Sequence, residues 1–328
     1  MIIHNAILFR LIQKFPIISK FITISDGFIP EENEKDFMFG ANLVEKTVLQ
    51  EDGQWTRFLP EDELQRGMNV ETMGCTGFGL LNVVEMLYKR LFDISANKSD
   101  RYTNRMSGTG RSGNSLSRVL ESVRKNHGTV PEADWTWDRD TFTWDDYYSN
   151  VPAFIQEEGK EWLEEYVIAY ERVPNSKQLL MASLKFSPLY VAGYAWYEKN
   201  GLYQSYGDAN HAFTIVGYVE GSHWLAYDSY SPHIKKLAWD FNIPYAYVVS
   251  LKRKSDFNLE EIRKLIGKGI RYIMRPLSHG QMYELTKEGL KQLSSDEARD
   301  LGIKTLAADK TLLGIPEEYY DKLNKIIN

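Results

Sequence analysis

Three side chains of this sequence stand where folding could bring them together for acyl transfer. Cys75 sits in Met73-Gly74-Cys75-Thr76-Gly77-Phe78-Gly79, at the head of the strongest helical pattern in the chain. A helix N-terminus carries partial positive charge and favours a thiolate, and the small neighbours leave room for an approaching backbone. The alternative is an inert buried thiol, the commoner fate of a lone cysteine. His211 opens the apolar run Asn210-His211-Ala212-Phe213-Thr214-Ile215-Val216-Gly217-Tyr218. At the rim of a sheet its ring can face a partner while its neighbours bury; the alternative is an imidazole satisfied by a backbone carbonyl. Asp228 lies 17 positions further on, in Trp224-Leu225-Ala226-Tyr227-Asp228-Ser229-Tyr230. A hairpin of that span returns its second end beside its first, so Asp228 can hold the imidazole in one tautomer.

The elements that must position these groups are legible in outline. Leu80, Val84, Leu87 and Leu91 recur at helical steps behind Cys75, and Leu116, Val119, Leu120 and Val123 predict a second helix over 116–124 that His127-Gly128 stops. Strands are expected at Pro188–Tyr197, His211–Val219, His223–Tyr230 and Pro244–Leu251, with Glu220-Gly221-Ser222 as a tight hairpin connection. Helices come first and strands later, an order that favours an α+β fold with an antiparallel sheet or small barrel over a parallel α/β fold.

The order of Cys75, then His211 at 136 positions, then Asp228 at a strand end resembles the papain-like cysteine peptidases. The string from Asn210 to Tyr218 is similar to that family's histidine block, and Trp224–Tyr230 to the block holding its third catalytic residue. His127-Gly128-Thr129-Val130-Pro131-Glu132 with Trp135 resembles the turn that ends its helical lobe. The likeness covers about residues 36–251. It implies a two-lobe fold, a polypeptide substrate, no cofactor or metal, and a Cys75–His211–Asp228 triad. Thr76 stands where the family has an aromatic residue and Asp228 where it has asparagine, and the paired cysteines of its secreted members are absent. The resemblance also implies a glutamine whose amide stabilises the oxyanion. Gln65, ten positions before Cys75, matches that role by its chemistry; Asn69, at a more usual offset, is the alternative.

Composition narrows the field. A net charge of -6 over 328 residues argues against nucleic-acid binding. A single cysteine excludes an internal disulfide framework and multi-cysteine zinc sites. No apolar run is long enough for a transmembrane helix. Gly108-Thr109-Gly110-Arg111-Ser112-Gly113 matches a dinucleotide glycine pattern but lacks the apolar strand before it. The acidic and aromatic run from Asp134 to Asp146 lacks the glycine and terminal glutamate of a calcium loop and reads as a solvated connection. His223, His233 and His279 have no metal-ligand spacing and read as surface or capping residues.

The expected organisation is an N-terminal arm over 1–35, a papain-like unit over 36–255 with a helical lobe at about 60–140 and a β lobe at about 150–255, and a mostly helical extension over 256–328. In the arm, Arg10, Lys14 and Lys20 break the apolar run and Pro16 breaks any single helix, so it is not a convincing signal peptide; cytoplasmic or virion-associated placement, in a phage or bacterial setting, is the expectation. Packing on the body is expected of this arm, with a membrane-surface segment or a removable pro-segment as alternatives. In the extension, Asn258 with Glu261 and Ser294 with Glu297 are capping-box starts, and Pro316 opens an amphipathic stretch. Two other functions fit the same residues: an inactive papain-fold binding or structural protein, and a thiol amidase acting on cell-wall peptides.

Overall fold

The helix behind Cys75 forms because its residues favour it and because almost all of it is buried. In the computed structural model, α1 spans Cys75–Phe92, and every residue from Cys75 to Tyr88 is buried. This is more than the one apolar stripe its spacing predicts: α1 lies between the sheet on one side and two further helices on the other. Asp93 ends it in the left-handed conformation, returning its N–H to the Tyr88 carbonyl, and Lys89 and Arg90 complement the negative end of the helix. The structure describes residues 27–31, 38–39 and 47–253, and the backbone of four strands between 272 and 314.

Helix α2 (Asp100–Met106) is capped by the Ser99 hydroxyl and α3 (Leu116–Glu121) by that of Ser115. The expected second helix continues from α3 as a π-helical segment, Ser122–His127, which stops at Gly128. That glycine is required. Its φ is +62°, and a Cβ there would lie 2.0 Å from the Gly159 carbonyl oxygen. The short α4 (Trp144–Tyr147) carries a capping box between Thr143 and Asp146. The run from Asp134 to Asp146 is therefore more than a solvated connection: Trp137 and Tyr147 are buried with Val70, and Arg101 reaches in to the carbonyls of Thr136, Asp146 and Tyr147. Helices α5 (Ala153–Glu165) and α6 (Lys177–Leu184) complete the set described here.

The strands are β1 (Tyr166–Arg172), β2 (Leu189–Gly193), β3 (Tyr197–Lys199), β4 (Leu202–Gln204), β5 (His211–Val219), β6 (His223–Tyr227), β7 (Ile234–Ala238) and β8 (Tyr245–Arg253). They form one eight-stranded sheet in the order β1-β8-β2-β5-β6-β7-β4-β3, antiparallel throughout except where β4 meets β7. All four predicted strands are present. The first is shorter than expected because the Asn210 side chain takes over the backbone groups of Ala195 after Gly193. The predicted turn joins β5 to β6, with Gly221 at φ +75°. The sheet is open rather than a barrel, and β2 is buried along its whole length against α1.

In the stretch expected to be mostly helical, the described backbone is a four-stranded sheet, which the sequence patterns do not foretell. Strands β9 (Tyr272–Arg275), β10 (Gln281–Thr286), β11 (Gly289–Gln292) and β12 (Leu312–Gly314) run in the order β11-β10-β9-β12, with β12 parallel to β9. The three helical starts predicted there, at Asn258, Ser294 and Pro316, lie outside the described residues, as does the arm up to residue 26.

Candidate active site

Two hydroxyls of the sheet fix the register of α1. Tyr190 of β2 donates to the Thr76 carbonyl at 2.7 Å, and Thr214 of β5 donates to the Gly79 carbonyl at 3.0 Å. On the other side Asn104 of α2 fills the space left by two glycines. A Cβ at Gly74 would lie 2.2 Å from its Nδ2, and one at Gly77 would lie 2.3 Å from its Oδ1. Met73 adopts φ 57°, a left-handed conformation uncommon for a side chain of its kind, and turns the chain into the helix. Cys75 is thereby held at the first position of α1, where its sulfur accepts the Ala212 N–H at 3.4 Å.

His211 opens β5 opposite Gly193 of β2. Its Nε2 meets Asp228 Oδ1 at 2.6 Å, directly after β6 ends. Its Nδ1 is buried and finds no nitrogen or oxygen partner. Burial disfavours an imidazolium here, but the charge and hydrogen bond of Asp228, with the Cys75 sulfur adding to them, carry the His211 pKa well above the ordinary histidine value. Burial likewise opposes an ionised Asp228, and the charges of His211 and Lys235 outweigh it, holding that carboxyl below the usual range. The two partners thus shift in the directions an ion pair requires. Trp196 meets the ring edge-on with centroids 5.5 Å apart, and Tyr230 lies tilted against it at the same distance.

Gln65 comes to the same corner. It donates to Glu71 Oε1 at 2.9 Å and to the Tyr230 hydroxyl at 2.8 Å, and accepts from Ser229 at 2.7 Å. Both amide hydrogens are therefore engaged. Burial raises the Glu71 pKa, with the Gln65 bond acting in the opposite sense. Asn69 is not part of the site: it is exposed, and its amide is bonded to the carbonyls of Asp140 and Thr141. Of the five sequence candidates, the structure brings Cys75, His211 and Asp228 together, ties Gln65 to them through Ser229 and Tyr230, and sets Asn69 apart. Lys235, Glu71 and Trp196 were missed. Only the fold reveals them: Lys235 by the pairing of β7 with β6, Glu71 by its bond to Gln65 and Trp196 by its contact with the His211 ring.

Cys75, His211, Asp228 and Gln65 are all 0% exposed, so this form has no open path to the sulfur. The segment ahead of the helical region packs on the residue two before the start of α1 and on the loop at Asn114. Phe28 is buried against Tyr245, and Gly27 and Ile29 bracket Asn114 with two backbone hydrogen bonds of 2.8 and 2.7 Å. Gly27 packs on Met73, where a Cβ would lie 2.3 Å from its carbonyl oxygen. The glycine-rich loop of 108–113 ends here too, Gly113 lying against Gly27.

Of the three histidines read as surface or capping residues, His223 bonds Ser222 through Nδ1 and His233 bonds the Asp228 carbonyl through Nδ1 at 2.7 Å; His279 is outside the described residues. Among the described residues, no group of three or more His, Cys, Asp or Glu side chains is placed to hold a metal, and no helix is long and apolar enough to cross a membrane.

No family model and no curated protein matches the chain. Solved structures do. The cysteine protease and lectin-like domains of Cwp84, a surface layer associated protein of Clostridium difficile, align with a TM-score of 0.53 at 12% identity, over 84% of this chain and 64% of that one. The fold is papain-like. Digestive procathepsin L 3 of Tenebrio molitor larval midgut aligns with a TM-score of 0.49 at 12% identity, over 69% of this chain and 76% of that chain. The bromelain protease of Ananas comosus in complex with the E64 inhibitor gives 0.43 at 20% identity, over 61% and 96%. At these identities the likeness is one of fold.

Proposed function

We propose that this chain is a papain-like cysteine peptidase that hydrolyses peptide bonds through Cys75, His211 and Asp228. One observation carries the reading: His211 is anchored to Asp228 through Nε2, while its buried Nδ1 finds no nitrogen or oxygen partner and the Cys75 sulfur acts on the ring. A histidine serving only the core would have both nitrogens satisfied.

In this reading Nδ1 takes the thiol proton and the thiolate attacks the substrate carbonyl carbon. The oxyanion forms beside the N-terminus of α1, where the Cys75 N–H is one donor. Gln65 supplies the second by exchanging its bond to Tyr230. His211 then gives its proton to the leaving amine, and water hydrolyses the thioester with the same ring as base. The 0% exposure of the sulfur makes this a closed form. We assign part of the closure to Gly27–Ile29, the described piece of the segment before the helical region, acting as a pro-segment-like cover.

The same burial also favours a second reading, an inactive papain-fold protein whose thiol is structural. Labelling by a thiol-directed epoxysuccinyl probe, together with turnover of a fluorogenic peptide, separates the two. Phe28→Ala in the full chain loosens the cover. The peptidase reading expects this variant to label at Cys75 faster than the parent and to cleave the peptide, with both lost on adding His211→Ala. A folded Phe28→Ala protein whose cysteine neither labels nor cleaves would establish the inactive reading instead.

A further inference from the structure

Strand β7 carries a charge where its alternation calls for hydrocarbon. Ile234 and Lys236 face outward, whereas Lys235 and Leu237 face in. Lys235 is 2% exposed. An ammonium has three hydrogens, and each finds an oxygen: Asp228 Oδ2 at 2.7 Å, the Tyr230 carbonyl at 2.6 Å and the Pro232 carbonyl at 2.7 Å. The rings of Trp196 and Tyr203 lie 5.3 and 5.9 Å from the nitrogen. Asp228 is thus divided between two partners, with Oδ1 on the histidine and Oδ2 on the lysine.

Charge counting gives this arrangement a purpose. A buried aspartate alone would set a full negative charge against the imidazole and hold its proton too firmly. With Lys235 present, the set Cys75, His211, Asp228 and Lys235 sums to zero, both as thiol with imidazole and as thiolate with imidazolium. Proton transfer between sulfur and ring conserves the net charge in any case; what Lys235 changes is its value, from one buried negative charge to none. We propose that Lys235 is a positioning residue for His211: it neutralises Asp228 and clamps the carboxylate, so that the pair acts on the ring as one net-neutral acceptor. Further titratable groups near this set are Tyr190 on β2, Tyr203 on β4 and the loop residues Glu71, Tyr148 and Tyr230. Lys235 is the cation bonded to Asp228.

The test is the titration of the His211 ring in the full chain, followed by NMR with labelled histidine and assigned by comparison with His211→Gln. Lys235→Met should raise the ring's titration midpoint by about one pH unit or more, because the carboxylate is left unbalanced. Asp228→Asn should lower it, because the cation remains and the anion is gone. The double variant Asp228→Asn/Lys235→Met should fall between the singles. Lys235→Gln keeps donors for the Tyr230 and Pro232 carbonyls and serves if the Met variant does not fold. If neither lysine variant folds, the double must fold where they do not. A purely structural lysine would give shifts of one sign, or none. A midpoint that stays put in a folded lysine variant overturns the inference, as does a double variant outside the range of the singles or as unstable as the lysine variants. The inference rests on the peptidase reading in taking His211 as the base, but the titration needs no turnover. A charge-balanced ring beside a thiol that never reacts would sink the peptidase reading alone, and a reactive thiol beside an unmoved ring would sink this one alone.

Discussion

At the residue scale, His211 shows how three local effects combine. Burial alone would drive its pKa down; a carboxylate at 2.6 Å and a neighbouring sulfur drive it up, and they win. The protonated ring therefore persists above the ordinary histidine range. The stability it contributes through Asp228 is complete below the unfolded value and is lost as pH rises through the raised folded value. Cys75→Ser, nearly isosteric, should cut peptide turnover by at least about a thousandfold while leaving the far-UV spectrum and thermal midpoint near those of the parent. Turnover retained by the serine variant would remove Cys75 from the mechanism. The three proposed triad residues could be picked out from the sequence because each lies in a block with its own character: a glycine-flanked cysteine, a histidine ahead of an apolar run, an aspartate at a strand end. Gln65 was harder to choose, because what separates it from Asn69 is the hairpin-like pairing of Arg66 with Glu71, which returns the chain to the site.

At the scale of elements, α1 is the part on which the site depends. Leu80, Val83, Val84, Met86 and Leu87 are all 0% exposed. Leu87→Ala should cost about 2–5 kcal/mol in a urea titration with an unchanged m-value. Gly77→Ala probes the other side of the helix. Its methyl would press on Asn104, so activity should fall more than stability does, read as kcat/KM against the urea midpoint; equal losses would show that the start of α1 tolerates the shift. The strands β5, β6 and β8 were legible because their apolar residues fill both faces or alternate cleanly. β7 was not, since Ile234-Lys235-Lys236-Leu237-Ala238 puts a lysine at an inward position and reads as a polar turn. β3 and β4 are three residues each, too short for a pattern to register. The β9–β12 sheet escaped because its strands are short and because β12 pairs with a strand far back in the chain, which no local periodicity records.

At the scale of the whole molecule, a set of carboxyl groups joins α1 to the helical region. Glu85 of α1, Asp100 of α2 and Glu132 sit close together, with Glu63 beside them sharing a hydrogen bond with Asp100. Burial, then the charge of Glu63, pushes Asp100 well up and Glu132 up to about 7; burial does the same for Glu85. Raised folded values mean that folding takes up protons. This contribution is complete below the ordinary carboxylate range and is lost as pH rises through the folded values. The thermal midpoint should therefore fall by several degrees between pH 5.5 and 8.5, and Glu132→Gln should flatten the slope. An unchanged slope would mean that these carboxyls are compensated in some other way.

The sealing of Cys75 carries one more consequence, for redox chemistry. The chain has a single sulfhydryl, so oxidation cannot close an internal bridge; peroxide can only turn that sulfur into an acid or couple it to a foreign thiol. With the sulfur at 0% exposure, oxidants must wait for the cover to lift. The rate at which peroxide consumes the sulfhydryl is therefore a clock for spontaneous opening, and a protein stored in air keeps its thiol reduced until the moment it is uncovered.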